Sequence, residues 1–209
     1  MINNKYIAIE GAIGVGKTTL AQTISNTMKC QTLFEDYADN PFLKKFYDEN
    51  QANSFSTQLY FLLKRIEQSK KINLTDNMLV SDFYFGKDEL FARLNLSGLE
   101  YEMYNSIKNK LNFIPPVPDL IIYLQASSDI LMERVRKRGL DMEKHIKKEY
   151  VESVNEIYMK HFHEYTSSPV LIINTSNVNI NDENDYQLLI EEISSDINGK
   201  KYFNPSSIK

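Results

Sequence analysis

The sequence has few of the residues on which disulfide-bonded, metal-binding or membrane-spanning proteins depend. Its single cysteine, Cys30, excludes an internal disulfide and is typical of a reducing compartment. There is no tryptophan, and the three histidines do not form a metal-ligand pattern with the cysteine. No run approaches the ~18 apolar residues needed to cross a bilayer, and no basic segment followed by an apolar run begins the chain. We therefore expect a cytoplasmic protein with no membrane partner.

The charge of the chain argues against a further class of partner. The formal net charge of the 209 residues is -4, so the basic footprint of a nucleic-acid-binding protein is missing. Hydrophobic residues make up 42% and charged residues 25%, which is an ordinary globular composition. We predict one domain over residues 1–200, followed by a C-terminal tail over 201–209.

Short apolar segments alternate with longer amphipathic segments along the chain. The apolar segments predict strands over 5–9, 31–35, 77–81, 119–124 and 169–173. The amphipathic segments predict helices over 17–29, 40–48, 53–71, 99–112, 128–138, 146–165 and 184–197. This alternation predicts an α/β fold in which a five-stranded parallel sheet carries helices on both sides. Such a sheet binds ligands at the carboxyl ends of its strands.

A phosphate-binding loop, or P-loop, lies between the first predicted strand and the first predicted helix. Its residues are Gly11, Ala12, Ile13, Gly14, Val15, Gly16, Lys17, Thr18 and Thr19. Glycines let successive backbone N–H groups surround phosphates, and the start of a helix adds partial positive charge. Lys17 can reach the β- and γ-phosphates of ATP, and the Thr18 hydroxyl can bind Mg²⁺. A glycine-rich turn without a ligand is the alternative, but the strand before and the helix after the loop favour nucleotide binding.

Two carboxylates follow predicted strands at the edge of the sheet where this loop opens. Glu35 ends the second strand, and Asp82 follows the third. Glu35 can accept a proton from a hydroxyl that attacks the γ-phosphate, and Asp82 can hold Mg²⁺ or one of its waters. Because acids also cap the helices that follow strands, each assignment has a purely structural alternative.

A third group of candidate residues is the basic end of the helix predicted over 128–138. Arg134 and Arg138 are one turn apart and share a face, whereas Arg136 points elsewhere. Two guanidinium groups on one face can grip a triphosphate in forked hydrogen bonds. A solvated helix end that complements the helix dipole is the alternative. Beside a P-loop, we favour a lid that closes these arginines over the transferring phosphate.

These motifs together resemble the deoxynucleoside kinases. The similarity extends over residues 5–175 and includes the segments 9–19, 40–47, 55–60 and 119–125 and the lid that ends at Gly139. It looks most like the bacterial branch that acts on deoxyadenosine or deoxyguanosine. The resemblance implies a P-loop kinase fold with an arginine-rich lid, and an enzyme that transfers the γ-phosphate of ATP to the 5′-hydroxyl of a deoxynucleoside. It also implies a homodimer formed through the helices over 53–71 and 99–112, which carry more apolar residues than one sheet face needs.

The resemblance gives catalytic roles to four residues. In the family, the glutamate after the second strand is the general base, which here is Glu35. Lys17 and the lid arginines Arg134 and Arg138 are then the residues that act on the phosphates.

The resemblance also gives roles on the nucleoside side. Gln58 pairs with the edge of the base, Arg65 lies near the base, and Tyr47 and Glu143 hold the sugar 3′-hydroxyl. An amide both donates and accepts, which suits the amino group and ring nitrogen of adenine or of cytosine, and we expect deoxyadenosine. Without the resemblance, Gln58 reads as a surface residue of an amphipathic helix. Phe83 is a candidate stacking wall, although aromatic residues at this spacing are more often core.

One segment departs from the family pattern. The family usually follows its third strand with Asp or Glu, then Arg, then Ser, whereas this chain has Asp82, Phe83 and Tyr84. The missing arginine normally touches the phosphates and the catalytic acid, so either Lys87, Arg93 or the lid replaces it, or the chemistry is weakened. The segment also reads as one residue shorter than usual, which puts Lys87 roughly where many relatives carry an acid facing the base.

Two other functions remain open at this point. A nucleoside monophosphate kinase, such as one for thymidylate, shares the P-loop and the lid but needs a basic contact for the acceptor phosphate. The strand ends carry Glu35, Asp36, Asp39 and Asp82 instead, which would repel a dianion. A nucleotide-binding regulatory module with little turnover is the second alternative, and the missing arginine gives it weight. Production of ADP that depends on deoxynucleosides separates a kinase from such a module.

Overall fold

The described part of the chain folds around one parallel sheet of six strands. The computed structural model describes residues 5–49, 53–72, 78–176, 178 and 182–204. The strands are β1 (Tyr6–Gly11), β2 (Gln31–Leu33), β3 (Leu79–Ser81), β4 (Leu120–Gln125), β5 (Val170–Asn174) and β6 (Lys200–Phe203). They lie in the order β2-β3-β1-β4-β5-β6, and each neighbouring pair is parallel.

Helices connect these strands. They are α1 (Lys17–Met28), α2 (Leu43–Asp48), α3 (Ser54–Ser69), α4 (Lys87–Asn95), α5 (Gly98–Leu111), α6 (Ser128–Arg138), α7 (Lys148–Glu164) and α8 (Glu183–Ile193), with a 3-10 helix over Asp141–Glu143. None of these helices, within the described ranges, is long and apolar enough to cross a membrane.

The core forms where helices cover the central strands. All of β1 is buried, and β4 is buried except for its last residue, because their side chains are covered on both faces of the sheet. On α7, Val151, Val154, Tyr158 and Phe162 are buried at spacings of three and four, as the amphipathic pattern predicts. Each such side chain contributes roughly 1.5–3 kcal/mol to folding through its burial.

The strand order places the candidate residues at one edge. The central strand β1 is flanked by β3 and β4, and β2 lies beyond β3. Because all of these strands are parallel, the P-loop after β1, Glu35 after β2 and Asp82 after β3 come to the same edge of the sheet. The predicted α/β fold with a parallel sheet flanked by helices is thus confirmed.

The predicted count of five strands is wrong, because β6 adds a sixth strand parallel to β5. Three of its four residues are exposed, and only Phe203 is buried, so the segment lacks the apolar run of a central strand. Exposed lysines are typical of an edge strand that must not pair with another molecule. The predicted start of the tail at residue 201 therefore falls inside the sheet, while residues 205–209 lie outside the described residues.

Two further differences concern helix boundaries and one helix that was not predicted. The helix predicted over 40–48 begins only at Leu43, because the Asn40 side chain accepts a hydrogen bond from the Phe42 backbone N–H and forms a local turn. Helix α4 was not predicted at all. Its sequence does carry a signal, since Asp88 and Glu89 lie in its first turn and Leu90 and Leu94 are one turn apart. Residue 77, predicted to begin the third strand, lies outside the described residues.

Candidate active site

A cavity lies beside the carboxyl ends of β1, β2 and β3. It contains about 850 Å³ of space, including its open mouth. On one side the lining residues belong to the P-loop and are Gly11, Ile13, Gly14, Lys17 and Thr18. On the other side, α2, α3, α4, α7 and the 3-10 helix contribute lining residues. Besides Lys17, seven of the residues predicted for the catalytic and nucleoside sites line this cavity, namely Glu35, Tyr47, Gln58, Arg65, Asp82, Arg138 and Glu143.

The shape of the P-loop depends on two glycines at which a side chain would clash with the backbone. Gly11 has a φ of 146°, and a Cβ atom there would lie 2.4 Å from the carbonyl oxygen of Leu124. Gly14 has a φ of 82°, and its Cβ atom would lie 2.9 Å from the carbonyl oxygen of Leu131. Both obstacles are backbone atoms that cannot move aside, so the loop is wedged between β4 and α6.

The side chain of Lys17 lies across the inside of this loop. Its Nζ donates hydrogen bonds to the carbonyl oxygens of Gly11, at 2.8 Å, and Ala12, at 3.1 Å. Burial, together with the nearby positive charge of Lys87, lowers the pKa of Lys17 to about 8. Phosphate oxygens favour the charged form of a neighbouring amine, so an ammonium group in this position suits a bound nucleotide.

Thr18 and Asp82 meet at the mouth of the P-loop. The Thr18 hydroxyl donates a hydrogen bond of 2.5 Å to Oδ2 of Asp82. Burial raises the pKa of Asp82, although the hydrogen bond from Thr18 opposes this effect. Two hard oxygen ligands beside a phosphate site fit Mg²⁺, which is usually bound by one or two carboxylates together with waters and substrate phosphates. The described residues contain no group of three or more His, Cys, Asp and Glu side chains that could hold a metal by itself.

Glu35 lies between two cations. Its Oε2 accepts a hydrogen bond of 2.8 Å from Nζ of Lys87, and its Oε1 accepts one of 2.9 Å from Nε of Arg65. Burial alone would raise the pKa of Glu35, but the charges of Lys87 and Arg65 outweigh it and lower the pKa to about 2. The carboxylate is therefore ionised at neutral pH and fixed in direction, so it can orient an attacking hydroxyl and take up its proton as the new bond forms.

A chain of polar contacts connects Glu35 with the predicted base-reading residue. Arg65 also donates a 2.6 Å hydrogen bond to Oδ1 of Asp88, which is fully buried. The amide nitrogen of Gln58 donates to the Asp88 backbone oxygen at 3.1 Å and to its Oδ1 at 3.3 Å. The Tyr104 hydroxyl donates to Oδ2 of the same carboxylate. Asp88 thus holds both Gln58 and Arg65 in place.

These contacts overturn one of the two expectations for Lys87, the one that places it toward the base. The sequence placed Lys87 toward the base, but its ammonium group faces Glu35, and the next residue, Asp88, lies beside Gln58. The reason is that both residues belong to the first turn of α4, where successive side chains point about 100° apart. Sequence reasoning missed Asp88 because it missed this helix.

The predicted sugar-binding residues lie together on another side of the cavity. Arg138 holds Glu143 through both carboxylate oxygens, with Nη2 at 2.6 Å from Oε1 and 2.7 Å from Oε2. Tyr47 lines the same region, and burial, followed by the nearby Tyr150 and the charge of Glu143, raises its pKa well above the usual value. Tyr47 is therefore a neutral hydroxyl that can donate or accept a hydrogen bond.

Two of the residues predicted for the catalytic and nucleoside sites do not line the cavity. Phe83 is only 1% exposed and is turned away from it, while Phe61 and Phe91 provide aromatic walls instead. Arg134 lies behind the P-loop, where its guanidinium group donates to the Thr175 side chain at 2.8 Å and to the Thr175 backbone oxygen at 2.9 Å. Arg134 and Arg138 therefore contact different parts of the protein, although they lie one turn apart on the same helix.

The fold and this site define a class of enzyme. A P-loop with its lysine, a threonine and aspartate pair suited to Mg²⁺, and an ionised acid beside a ligand cavity are the parts that phosphoryl transfer needs. The protein is thus a P-loop phosphotransferase.

Comparisons with known proteins give the family. A family model for deoxynucleoside kinases matches residues 7–198. The deoxyadenosine/deoxycytidine kinase of Bacillus subtilis (strain 168) is 30% identical over 201 residues, which cover 92% of this chain and 93% of that enzyme. The deoxyguanosine kinase of the same organism is 37% identical over 159 residues, which cover 73% and 76%. A solved structure of deoxyadenosine kinase from M. mycoides with bound dATP has a TM-score of 0.79 at 25% identity and covers 90% of this chain and 99% of that one.

The chain belongs to the deoxynucleoside kinase family. It is an ATP-dependent deoxynucleoside kinase, as its motifs predict. The similarity extends over nearly the whole described fold, so the family and the site geometry agree.

Proposed function

We propose that this kinase prefers deoxyadenosine as its acceptor, with deoxycytidine as the second-best substrate. The observation that carries the proposal is the orientation of Gln58. Both of its side-chain hydrogen bonds to Asp88 use the amide nitrogen, so the amide oxygen is turned to the opposite side. An amide oxygen can accept a hydrogen bond from the amino group of adenine or cytosine, but it repels the carbonyl oxygen that guanine or thymine has at the corresponding position.

Arg65 can complete the recognition of the same edge of the base. It lines the cavity together with Gln58, and its guanidinium group carries five N–H donors. A donor beside an acceptor matches a ring nitrogen beside an amino group, which both adenine and cytosine possess. The similarity to enzymes that are named for deoxyadenosine, and in one case also for deoxycytidine, supports this preference.

The catalytic roles follow from the positions of the remaining residues. Glu35 orients the 5′-hydroxyl and accepts its proton, while Lys17 neutralises charge on the phosphates of ATP. Thr18 and Asp82 are the residues that would hold Mg²⁺, which supplies positive charge at the phosphates when it is bound. Arg138 and Glu143 belong to the lid, with Glu143 and Tyr47 available for the sugar 3′-hydroxyl. Arg134 supports the P-loop from behind.

The acceptor in this proposal is the nucleoside and not its monophosphate. Glu35 is held as an anion near Asp82, and an anion repels a phosphorylated acceptor but can orient a neutral hydroxyl. The family match supports the same acceptor. A cytoplasmic location fits the single cysteine and stays a prediction.

Specificity constants for the four natural deoxynucleosides, measured with ATP and Mg²⁺, test the proposal. We expect deoxyadenosine to be first and thymidine to be lower by ~10-fold or more, because a mismatched base leaves buried polar groups unpaired. If thymidine, deoxyguanosine or deoxycytidine exceeds deoxyadenosine by ~10-fold, equal to ~1.4 kcal/mol of transition-state binding, the assignment is wrong.

A further inference from the structure

The contacts of four side chains indicate which residue can replace the arginine that the family pattern has at the position of Phe83. Phe83 occupies that position and is buried away from the cavity. Arg93 is largely exposed on the outer face of α4, where it pairs with Glu89 at 3.0 Å. Arg138 is engaged with Glu143 on the sugar side of the cavity. None of these three side chains contacts Glu35.

Lys87 has the surroundings that the missing arginine would need. Its side chain is 5% exposed and lines the cavity, with Nζ at 2.8 Å from Oε2 of Glu35 and 3.9 Å from Oε1 of Glu10. The charges of these two acids raise the pKa of Lys87 although burial opposes them, so the ammonium form is kept. Lys87 and Lys17 lie close enough for the charge of Lys87 to lower the pKa of Lys17.

We propose that Lys87, from the first turn of α4, supplies the positive charge that relatives obtain from an arginine at the position of Phe83. It is a positioning residue that fixes the direction of the Glu35 carboxylate and brings positive charge to the site of phosphoryl transfer. This inference rests on the proposed function and concerns how this chain carries it out with a different residue.

The bonds that form and break in the reaction show where the charge of Lys87 can act. A bond forms between the 5′-oxygen of the nucleoside and the γ-phosphorus, the bond from that phosphorus to the β,γ-bridging oxygen breaks, and ADP leaves. The proton of the 5′-hydroxyl passes to Glu35. An ammonium group has three N–H donors, and the bond to Glu35 uses one of them. The others can stabilise charge on the phosphoryl oxygens, as the guanidinium group does in relatives.

The charged groups around Lys87 come from five different parts of the fold. They are Glu10 of β1, Lys17 of α1, Glu35 after β2, Arg65 of α3 and Asp82 after β3. Replacing Lys87 by a neutral residue leaves Arg65 as the only cation in hydrogen-bond contact with Glu35 among the described residues. The pKa of Glu35 must then rise, because burial is no longer outweighed to the same degree.

The experiment compares Lys87→Met and Lys87→Arg with the unaltered enzyme. Lys201→Met is the matched control, because Lys201 also pairs with a glutamate, Glu192, at 2.6 Å but lies on the edge strand β6. Thermal unfolding shows which variants are folded. If Lys87→Met does not fold, Lys87→Gln replaces it, since glutamine keeps a hydrogen-bond donor but has no charge. Rates are measured with deoxyadenosine and ATP over a range of pH.

We expect Lys87→Met to lower kcat by ~10²- to 10³-fold with little change in the KM of the nucleoside, because the lost interaction acts on the transition state. Lys87→Arg should recover most of this loss, and Lys201→Met should match the unaltered enzyme. On the acid side, kcat/KM depends on the ionisation of Glu35. As the pH is lowered, kcat/KM should therefore begin to fall at a higher pH in Lys87→Met than in the other proteins. A kcat and pH profile unchanged by Lys87→Met, or an equal loss in folded Lys87→Arg, would overturn the inference.

A separate measurement keeps this inference distinct from the proposed function. An unaltered enzyme that phosphorylates none of the four deoxynucleosides would contradict the proposed function. In that case the carboxyl carbon of Glu35 is followed by ¹³C NMR against pH, with Glu35→Gln to assign its signal. A higher Glu35 pKa in Lys87→Met than in Lys87→Arg supports the pairing, and equal pKa values overturn it.

Discussion

The backbone N–H of Glu35 donates a hydrogen bond to Oδ1 of Asp82, 2.7 Å away. The other oxygen of the same carboxylate accepts the hydrogen bond of the Thr18 hydroxyl. Asp82 therefore links the ends of β2 and β3 to the first turn of α1. Because the contact with Glu35 uses the backbone, it holds the candidate base in place whatever side chain residue 35 carries.

This arrangement makes Glu35→Gln an informative change. Glutamine keeps the shape and the backbone contact but cannot accept the proton, so kcat should fall by ~10²- to 10⁴-fold while the KM of the nucleoside changes little. Steady-state kinetics with deoxyadenosine measure both constants. Asp39→Asn, an exposed acid on the same loop, is the control and should be neutral. A change confined to KM would reduce Glu35 to a binding residue.

The lowered pKa of Lys17 predicts that the use of ATP declines at alkaline pH. Its pKa of about 8 means that the ammonium form, which the phosphates require, is present below that pH and is lost as the pH rises through it. The value of kcat/KM for ATP should therefore fall by up to ~10-fold per pH unit above about pH 8. The value of kcat should fall at a higher pH, since bound phosphates favour the charged form. A kcat/KM for ATP that is constant to about pH 10 would contradict this prediction.

Removing the amide of Gln58 should reduce selectivity among bases. In Gln58→Leu, the specificity constant for deoxyadenosine should fall by ~10²-fold or more, and that for thymidine should fall much less, because only the matched base loses its hydrogen bonds. Gln68→Leu is the control, since Gln68 is also on α3 and also donates to a backbone oxygen, that of Phe34, but does not line the cavity. An unchanged ratio of the two specificity constants in Gln58→Leu would remove Gln58 from base recognition.

The homodimer stays a prediction, and the structure suggests where to test it. Leu99 and Met103, one turn apart on α5, are 70% and 51% exposed, and Leu63 of the neighbouring helix α3 is 49% exposed. Exposed apolar side chains on adjacent helices are typical of an interface. Light scattering at micromolar concentration should give the mass of two chains, and Met103→Glu should give the mass of one. A monomeric mass for the unaltered protein would end this prediction.

The unpredicted strand β6 should contribute to stability through a single side chain. Phe203 is 6% exposed and packs in the main core, so Phe203→Ala should lower the free energy of unfolding by about 3 kcal/mol. Tyr202, its neighbour, is 66% exposed, and Tyr202→Ala should change the free energy of unfolding by less than about 0.5 kcal/mol. Urea unfolding curves measure both values. Equal effects of the two changes would show that β6 is not anchored by Phe203.

The sequence predicted the features that are local or that follow from parallel strands. The P-loop occupies consecutive residues, and Glu35 and Asp82 lie where strands end, so a common edge brings them together. The contact between Lys87 and Glu35 joins residues 52 positions apart and depends on the direction of a side chain on a helix that was not recognised. Phe83 and Arg134 show the same limit, because a residue beside a site in sequence can be turned away from it in space.

Arg65 has a consequence for attempts to redesign this enzyme. Its guanidinium group contacts both Glu35, the proposed proton acceptor, and Asp88, which accepts the hydrogen bond of Gln58. The proposed catalytic and base-reading residues are therefore connected through Arg65. A substitution at Asp88 that admits a new nucleobase also changes the field at Glu35 and leaves a buried cation with fewer partners. We therefore expect substrate range, turnover and thermal tolerance to change together in this kinase. Engineering toward nucleoside analogues should begin at a lining residue outside this chain of contacts, such as Leu43, rather than at Phe61, whose ring lies against the guanidinium group of Arg65.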